Sequence, residues 1–399
     1  MKLGVLSAGA WGTAIAKVLA EKGNDVTIWD FMPDIVAEIN KSHTNRFLFG
    51  VNLPHSIRAT TEMEEAVSSD ILFITTPSQY LLNSVRSLIK LPAIQEGKTP
   101  VGVLTKGFLP TEKGPRLILD VMEDYLPGFY KGNLVYIAGP SHAEEVGRGK
   151  ITGLIAASKN GKNAIRFREP LSGRNLIVFS SLDTTGVQTS AAYKNVMAIA
   201  FGMLDALSEF TEGIGDNTES LLLAAGLAEI QALGTALGST HPETFTSIAG
   251  VGDLDVTCRS RYGRNRKFGR EIVTDRILAR FRDIDDLIAN SASIGYLAEG
   301  VFAAKWGQEL AERLGIKLPI GSSVYRILNR EVEPLSAIET ILEAIHRNPD
   351  GETGEAPPEG RRYRLDRLRD SAGWLRGRFG FFSRGRGNLR GSAEAPGGD

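Results

Sequence analysis

Two lysines have the residue type and position for acid-base chemistry. Lys106 follows an apolar run, Val101–Leu104, which predicts a buried strand, so its ammonium is expected just beyond that strand's end. Lys194 lies near the start of an otherwise apolar helical stretch. A lysine on such a helix either reaches solvent or faces a cleft, where desolvation lowers its pKa toward a range useful for proton transfer. The residues alone leave both alternatives open for Lys194.

A third group of residues is suited to phosphate. A Gly-rich stretch, Gly250–Cys258, is followed by Arg259 and then by the run Arg264–Lys267. Guanidinium groups bind phosphate with two parallel hydrogen bonds, so dense arginine beside a Gly-rich turn favours a phosphate site. The same residues would also fit a solvated basic loop.

These side chains need a framework, and its organising stretch is at the N-terminus, Leu3–Leu19. An apolar run of strand length leads through a short turn into a helical pattern. The first amides of such a helix are unpaired and carry partial positive charge, so a pyrophosphate can bind there. In the dinucleotide fingerprint G-x-G-x-x-G, the chain supplies Gly9 and Gly12 but has Ser7 at the first position.

A second predicted strand, Asp25–Trp29, is followed directly by Asp30. An acidic residue about 20 positions beyond the glycines is where the adenosine ribose hydroxyls are held in this class of fold. Further strands and helices alternate over residues 1–180, which predicts an α/β, Rossmann-like, doubly wound parallel sheet. Thr75–Ser78, Lys106 and Gly139–Ser141 follow strands and are expected at one rim of this sheet.

The chain changes character after the predicted sheet. Residues 181–346 are rich in Ala, Leu and Gly at helical spacing and predict a second, all-helical domain. Residues 347–399 are dense in Gly, Pro and Arg and predict a disordered tail, because they cannot bury enough apolar surface to offset chain entropy.

Composition narrows the functional classes. With 399 residues, 42% apolar side chains and net charge −1, the chain can form two cores and gives no argument for a nucleic-acid partner. Its single cysteine, Cys258, excludes an internal disulfide and fits a reducing compartment. The sequence contains no uninterrupted run of about 18 apolar residues, so we predict no membrane span. We therefore expect a cytoplasmic protein.

Six segments, read together and in order, resemble the bacterial NAD(P)-dependent glycerol-3-phosphate dehydrogenase family. They are SAGAWGTAIA (7–16), LTKG (104–107), AGPSHAEEV (138–146), GVQTSAAYKNVMAIAFG (186–202), AGVGDLDVTC (249–258) and GRNRKFG (263–269). The resemblance implies a dinucleotide-binding domain followed by a helical domain like the C-terminal one of 6-phosphogluconate dehydrogenase. It also implies a homodimer and reversible NAD(P)H-dependent reduction of dihydroxyacetone phosphate to sn-glycerol 3-phosphate for phospholipid synthesis.

The resemblance also implies roles for matching positions. Lys194 would be the general acid that protonates the carbonyl oxygen, Lys106 would contact coenzyme and substrate, and Asp253 would orient Lys194. The expected substrate-binding residues are Lys106, Gly139, Ser141, Lys194, Asn195, Asp253, Thr257, Gly263, Arg264 and Asn265. The expected coenzyme-binding residues are Ser7, Gly9, Ala10, Trp11, Gly12, Asp30, Lys106, Ala143, Arg264, Leu297 and Glu299. No metal is expected.

Three positions depart from the family's pattern. Ser7 replaces the first fingerprint glycine, which we expect to be tolerated if its φ angle is negative. Gly263 stands where the family usually has Ser, which removes one hydroxyl contact to phosphate. Asp30 stands where the family commonly has Arg or His, and a carboxylate would repel the 2′-phosphate of NADP(H). We therefore expect NAD(H) to be preferred, with NADP(H) possible.

Two other functions remain open from the sequence. One is a different two-domain dehydrogenase acting on a hydroxy acid or sugar acid, which would also place a lysine on the first long helix of its helical domain. The other is a catalytically idle NADH-binding redox sensor, for which Ser7 and the Arg-rich tail would be the supporting features.

Overall fold

The computed structural model of the chain describes residues 1–260, 262–296 and 298–336. The strands are β1 (Lys2–Leu6), β2 (Asp25–Trp29), β3 (Ile57–Thr60), β4 (Ile71–Ile74), β5 (Val101–Val103), β6 (Phe108–Leu109), β7 (Arg116–Leu117), β8 (Val135–Ala138), β9 (Thr152–Ala157) and β10 (Leu176–Ser181). The first eight helices are α1 (Ala10–Glu21), α2 (Pro33–Ser42), α3 (Met63–Val67), α4 (Ser78–Leu88), α5 (Pro92–Gln95), α6 (Ile118–Tyr125), α7 (Ala143–Gly147) and α8 (Gly161–Leu171).

The remaining helices form the second half of the described chain. They are α9 (Thr184–Ser208), α10 (Asp216–Ala236), α11 (Glu243–Thr246), α12 (Asp253–Arg259), α13 (Arg264–Thr274), α14 (Ile284–Ala289), α15 (Glu299–Leu314) and α16 (Pro319–Leu328). A π-helical turn, Ile248–Gly252, leads directly into α12.

Eight strands form one sheet in the order β10-β9-β8-β5-β4-β1-β2-β3. The six strands from β8 to β3 in that order are parallel, and β1, β4, β5 and β8 are buried apart from Lys2. Strands that are covered by helices on both faces are apolar throughout, which explains the continuous runs in the sequence. The predicted Rossmann-like fold followed by a helical domain is confirmed.

The last two strands differ from the expected parallel arrangement, because β9 runs antiparallel to β8. The helix between them, α7, has only five residues, so the chain does not return along the sheet before β9 begins. A helix of 11 residues, α8, separates β9 from β10, and these two strands are parallel to each other. The edge strand β3 also escaped prediction, since four residues with one exposed arginine give little pattern.

The helical half is built around α9, whose 25 residues are almost all buried. Its N-terminus is capped by Asp183, whose carboxylate accepts a hydrogen bond from the amide of Gly186 at 2.8 Å. Helix α13 packs closely on α9 at Gly202. A Cβ on Gly202 would lie 2.0 Å from the carbonyl oxygen of Arg266, so no larger residue fits at this crossing. Glycine at this crossing therefore allows the two backbones to approach and fixes how α13 presents its first turn.

Some predictions fall outside the described residues. They concern Leu297, residues 337–346 of the predicted helical domain and the predicted tail 347–399. The predicted boundary between residues 180 and 181 stays a prediction, with β10 ending at Ser181 and α9 beginning at Thr184. Across the described chain, none of the helices combines the length and the apolar character that a bilayer crossing demands.

Candidate active site

The turn between β1 and α1 has the shape that a pyrophosphate requires. A Cβ on Gly9 would meet only the hydroxyl oxygen of Ser7, at 3.9 Å, so this face of the turn is open. A Cβ on Gly12 would lie 2.0 Å from the carbonyl oxygen of Ser7, so only glycine fits there. The first backbone hydrogen bond of α1 runs from the Thr13 amide to the Gly9 carbonyl, which leaves earlier amides facing outward. The residues present therefore fit the pyrophosphate of a dinucleotide.

Ser7 corrects one expectation. Its φ angle is +84°, in the left-handed region that favours glycine, and not negative as its tolerance was expected to require. The Ser7 amide donates to the carbonyl oxygen of Trp29 at 2.8 Å, and the Ser7 carbonyl accepts from the Thr75 hydroxyl at 3.1 Å. These bonds hold the residue in a conformation that its side chain disfavours.

Asp30 lies at the end of β2, as the sequence predicts, but its carboxylate is turned toward the Gly-rich turn. Only 5% of the residue is exposed. Its two oxygens accept hydrogen bonds from the amides of Ala8, at 2.7 Å, and Met32, at 3.0 Å. Asp30 therefore fixes the turn, and its predicted contact with the ribose stays a prediction.

Across the cleft from this turn lies a buried cluster of charges. Helix α9 carries Lys194, whose ammonium donates to one carboxylate oxygen of Asp253, the first residue of α12. Lys106, just beyond β5, donates to the other oxygen at 3.5 Å and to the carbonyl oxygen of Gly139 at 3.4 Å. Lys194 is 5% exposed and Asp253 is fully buried, so Lys194 faces the cleft and not bulk solvent.

Burial dominates the electrostatics of this cluster. Desolvation is the main reason that the pKa of the Lys194 ammonium is lowered to about 7; the carboxylate of Asp253 opposes this shift, and the positive charge of Lys106 adds to it. Lys194 can therefore give or take a proton near neutral pH. His142 also lines the cleft, and burial with the two nearby lysines lowers the pKa of its imidazole.

A second polar network leaves one donor unpaired. The side-chain oxygen of Asn195 accepts a hydrogen bond from the side-chain nitrogen of Asn265 at 3.0 Å. The side-chain oxygen of Asn265 in turn accepts one from the backbone amide of Gly300 at 2.9 Å. The Asn195 amide nitrogen is buried and has no hydrogen-bond partner within the described part of the chain. Asn195 is one of the residues that line the cleft, so this donor is a candidate partner for a bound ligand.

One side of the cleft is formed by the start of α13. Gly263 precedes this helix and Arg264 begins it, with an exposed guanidinium that lines the cleft. No ion-pair partner for Arg264 exists among the residues that the structure describes. Thr257 also lines the cleft, and its hydroxyl donates to the carbonyl oxygen of Asp253 at 2.6 Å.

One cleft of about 470 Å³ brings most of the predicted residues together. The predicted residues that line it are Ser7, Gly9, Ala10, Trp11, Gly12, Lys106, Ser141, Ala143, Lys194, Asn195, Asp253, Thr257, Gly263, Arg264, Asn265 and Glu299. Asp30 and Gly139 are not part of the lining, although Gly139 supplies the carbonyl oxygen for Lys106. In the described chain no cluster of three or more His, Cys, Asp or Glu side chains is arranged to hold a metal ion.

The sequence analysis expected Thr75–Ser78 at the rim of the sheet, but it did not assign a site role to several lining residues. They are Phe47, Thr75, Thr76, Pro77, Leu104, Thr105, His142, Glu144, Val256 and Tyr262. Two of the segments carried a usable signal, because Thr75–Pro77 follows a strand and His142 lies inside a quoted motif. Tyr262 gave none, since a lone tyrosine in a basic stretch fits any surface loop.

A nucleotide turn on one side and a buried lysine with a carboxylate on the other define a class, the two-domain nicotinamide-dependent dehydrogenases. Two family models match the chain. They are "NAD-dependent glycerol-3-phosphate dehydrogenase N-terminus" over residues 2–164 and "NAD-dependent glycerol-3-phosphate dehydrogenase C-terminus" over residues 183–339.

Individual relatives agree with the family models. The glycerol-3-phosphate dehydrogenase [NAD(P)+] of Treponema denticola is 53% identical over 350 residues, which are 86% of this chain and 98% of the relative. That of Bacillus subtilis is 34% identical over 343 residues, covering 86% and 94%. The crystal structure of glycerol-3-phosphate dehydrogenase from Coxiella burnetii aligns with a TM-score of 0.73 at 30% identity, covering 86% of this chain and 98% of that one.

The chain belongs to the NAD-dependent glycerol-3-phosphate dehydrogenase family. The predicted oxidoreductase class is confirmed, and so is the predicted reaction, NAD(P)H-dependent reduction of dihydroxyacetone phosphate to glycerol 3-phosphate.

Proposed function

We propose that Lys194 is the general acid of this reaction and that Lys106 and Asp253 complete its catalytic centre. The observation that carries the proposal is the buried ion pair between Lys194 and Asp253, placed in the same cleft as the nucleotide turn. A lysine that served only solubility would not be buried against a carboxylate in a ligand-sized cleft.

The protonation state of Lys194 suits both directions of the reaction. Reduction builds negative charge on the carbonyl oxygen of the substrate, and a nearby ammonium stabilises this charge and donates the proton. Because burial lowers the pKa of Lys194 to about 7, its ammonium gives up the proton more readily than a surface lysine. In the oxidation of glycerol 3-phosphate, the neutral amine accepts the hydroxyl proton.

Asp253 and Lys106 supply the charges that support Lys194. Each of the two carboxylate oxygens of Asp253 faces one ammonium, so the carboxylate fixes both lysines in position. Two ammonium groups against one carboxylate leave one excess positive charge within this cluster of three side chains when Lys194 is protonated. This excess favours an anionic transition state over the neutral carbonyl, which is the condition for catalysis by differential binding.

The substrate phosphate is proposed to bind at the start of α13. Arg264 supplies a guanidinium with five donors, and the first turn of α13 adds amides and partial positive charge. The side-chain amide nitrogen of Asn195, which is buried and unpaired among the described residues, is proposed to donate to a substrate oxygen. Binding of the distant phosphate then supplies free energy that positions the three-carbon fragment at Lys194.

The nicotinamide coenzyme, when bound, supplies the hydride. Gly9, Ala10, Trp11 and Gly12 are proposed to hold its pyrophosphate at the start of α1, with Glu299 further along the same cleft. We propose a preference for NAD(H), because the tip of β2 carries Asp30, Phe31 and Met32 and no cation for a 2′-phosphate. We also propose, from the family, a homodimer and a cytoplasmic supply of glycerol 3-phosphate to phospholipid synthesis.

The test follows NADH oxidation by its absorbance. The purified chain is mixed with NADH and dihydroxyacetone phosphate, and in parallel with hydroxy-acid precursors such as 2-oxo acids. We expect turnover with dihydroxyacetone phosphate alone, loss of turnover in Lys194→Ala, and normal turnover in Lys162→Ala, a control at an exposed lysine on α8. Turnover with the 2-oxo acids in place of dihydroxyacetone phosphate would contradict the proposal.

A further inference from the structure

Ser7 occupies a position of the nucleotide turn where its backbone conformation is unfavourable. Its φ angle of +84° lies in the region that glycine adopts freely and that a Cβ disfavours. A glycine would remove this strain. A strained residue inside a ligand cleft is a reason to ask what its side chain contributes.

The peptide groups around Ser7 are all used by the protein. The Ala8 amide donates to Asp30 at 2.7 Å, and the Ala8 carbonyl accepts from the Asn45 side chain at 2.7 Å. The Ser7 amide and carbonyl are bonded to Trp29 and Thr75, respectively. These hydrogen bonds fix the backbone of the turn, so Ser7 cannot move to a more favourable φ angle without breaking them.

The Ser7 hydroxyl is different from these groups. It makes no hydrogen bond to any described residue, and it lies on the open face of the turn, 3.9 Å from the point where a Gly9 Cβ would be. The residues at the start of α1, Ala10 to Gly12, line the cleft, and their amides have no partner within the helix. The hydroxyl therefore stands beside the donors that an anion would use.

A second residue of the same cleft points to a ligand there. Thr76 is 5% exposed, lines the cleft, and has a buried hydroxyl oxygen without a partner among the residues that the structure describes. A buried unpaired hydroxyl costs free energy unless a bound group satisfies it. Thr76 follows β4, the strand next to β1, so it lies on the same side of the cleft as Ser7.

We propose that the Ser7 hydroxyl donates a hydrogen bond to a pyrophosphate oxygen of the nicotinamide coenzyme, so that coenzyme affinity is gained in exchange for backbone strain. The proposal rests on the proposed function, since it assumes that a dinucleotide occupies the turn. The fingerprint has glycine at this position. Serine would add one hydroxyl donor there, and hydrogen bonds from such a donor to a charged phosphate oxygen are strong.

Two variants separate the hydroxyl from the backbone. Ser7→Ala removes the hydroxyl and keeps the Cβ, so we expect an unchanged melting temperature without coenzyme and an NADH Kd about tenfold higher. Ser7→Gly removes both, so we expect a melting temperature roughly 2 °C higher and a similar loss of NADH affinity. Ser87→Ala, on the exposed face of α4, is the control and should change neither quantity.

The probes are NADH, measured by fluorescence titration, and ADP-ribose, measured by calorimetry. ADP-ribose carries the pyrophosphate without the nicotinamide, so it should lose the same factor as NADH in both variants. NADH binding to Ser7→Ala with the parent's affinity, tighter binding by Ser7→Gly, or a loss for NADH without one for ADP-ribose would each overturn the proposal. Failure of the parent to bind NADH would instead overturn the proposed function.

Discussion

The carboxylate of Asp253 and the ammonium of Lys194 form a buried ion pair between the first turn of α12 and the middle of α9. The π-helical turn Ile248–Gly252 delivers Asp253 to this position, and α9 is rigid because nearly every residue on it is buried. The pair is therefore held by two packed helices and not by mobile loops, which is the arrangement that a catalytic group requires.

Replacement of Asp253 by Asn should change how Lys194 titrates. In the proposed mechanism reduction needs the protonated Lys194, so kcat of the parent should fall as pH rises through about 7. Because the Asp253 charge raises the pKa of Lys194, Asp253→Asn should move this fall to lower pH and reduce kcat by roughly 100-fold at pH 7. Steady-state rates from pH 5.5 to 9 give the comparison. If the midpoint of the pH profile did not shift in the variant, Lys194 would not be the group whose titration sets that profile.

Replacement of Arg264 by Leu should affect only substrates that carry phosphate. We expect kcat/KM for dihydroxyacetone phosphate to fall roughly 100-fold, because a bidentate charged contact to the phosphate is lost. The rate with unphosphorylated dihydroxyacetone should not change. The control is Arg282→Leu, whose side chain is 85% exposed. Equal losses for the two substrates would place Arg264 away from the phosphate.

A cation at the tip of β2 should alter coenzyme choice. Phe31 follows Asp30 and is 74% exposed, so Phe31→Arg introduces a guanidinium beside the position that we predict for the ribose 2′-group. We expect the ratio of kcat/KM for NADPH to that for NADH to rise about tenfold. Phe49→Arg, at an 85% exposed phenylalanine, is the matched control. A parent that already uses both coenzymes equally would contradict the proposed preference.

Glu229 predicts a pH-dependent stability that is independent of the active site. Its carboxylate on α10 accepts hydrogen bonds from the amides of Ile320 and Gly321 at the start of α16, and burial raises its pKa to about 8. A folded-state pKa above the unfolded one means that its stabilisation is complete below pH 4.5 and is lost as pH rises through about 8.

Glu229→Gln should therefore reduce the effect of pH on the free energy of unfolding. Between pH 6 and pH 9 we expect the parent to lose roughly 2–3 kcal/mol more than Glu229→Gln, as measured by urea denaturation. Glu243→Gln, at an exposed glutamate on α11, is the control and should follow the parent. The same loss in Glu229→Gln as in the parent would show that Glu229 does not titrate in this range.

Sequence patterns predicted those elements of the fold whose structure depends on neighbouring residues in the chain. Strands such as β4 and β5 are buried on both faces and therefore read as continuous apolar runs. The reversed direction of β9 could not be predicted in this way, because it depends on the length of α7, a helix of five residues with little periodic signal.

The site was predictable in its parts and less so in its geometry. A sequence can nominate Lys194 as a lysine on an apolar helix, but only packing decides that it faces the cleft. Asp30 shows the converse, since its position was foreseen and the turn of its carboxylate toward Ala8 was not. Hydroxyls such as that of Thr76 carry no signal in sequence, because their significance lies in having no hydrogen-bond partner among the residues that the structure describes.

The most direct test of the account is the kcat of Lys194→Arg with saturating NADH and dihydroxyacetone phosphate at pH 7. Arginine keeps the positive charge beside Asp253 but does not release a proton in this pH range. We predict that kcat falls roughly 1,000-fold while the Kd for NADH stays within about threefold of the parent's. A Lys194→Arg enzyme that keeps more than a tenth of the parent's kcat would show that the proton comes from elsewhere.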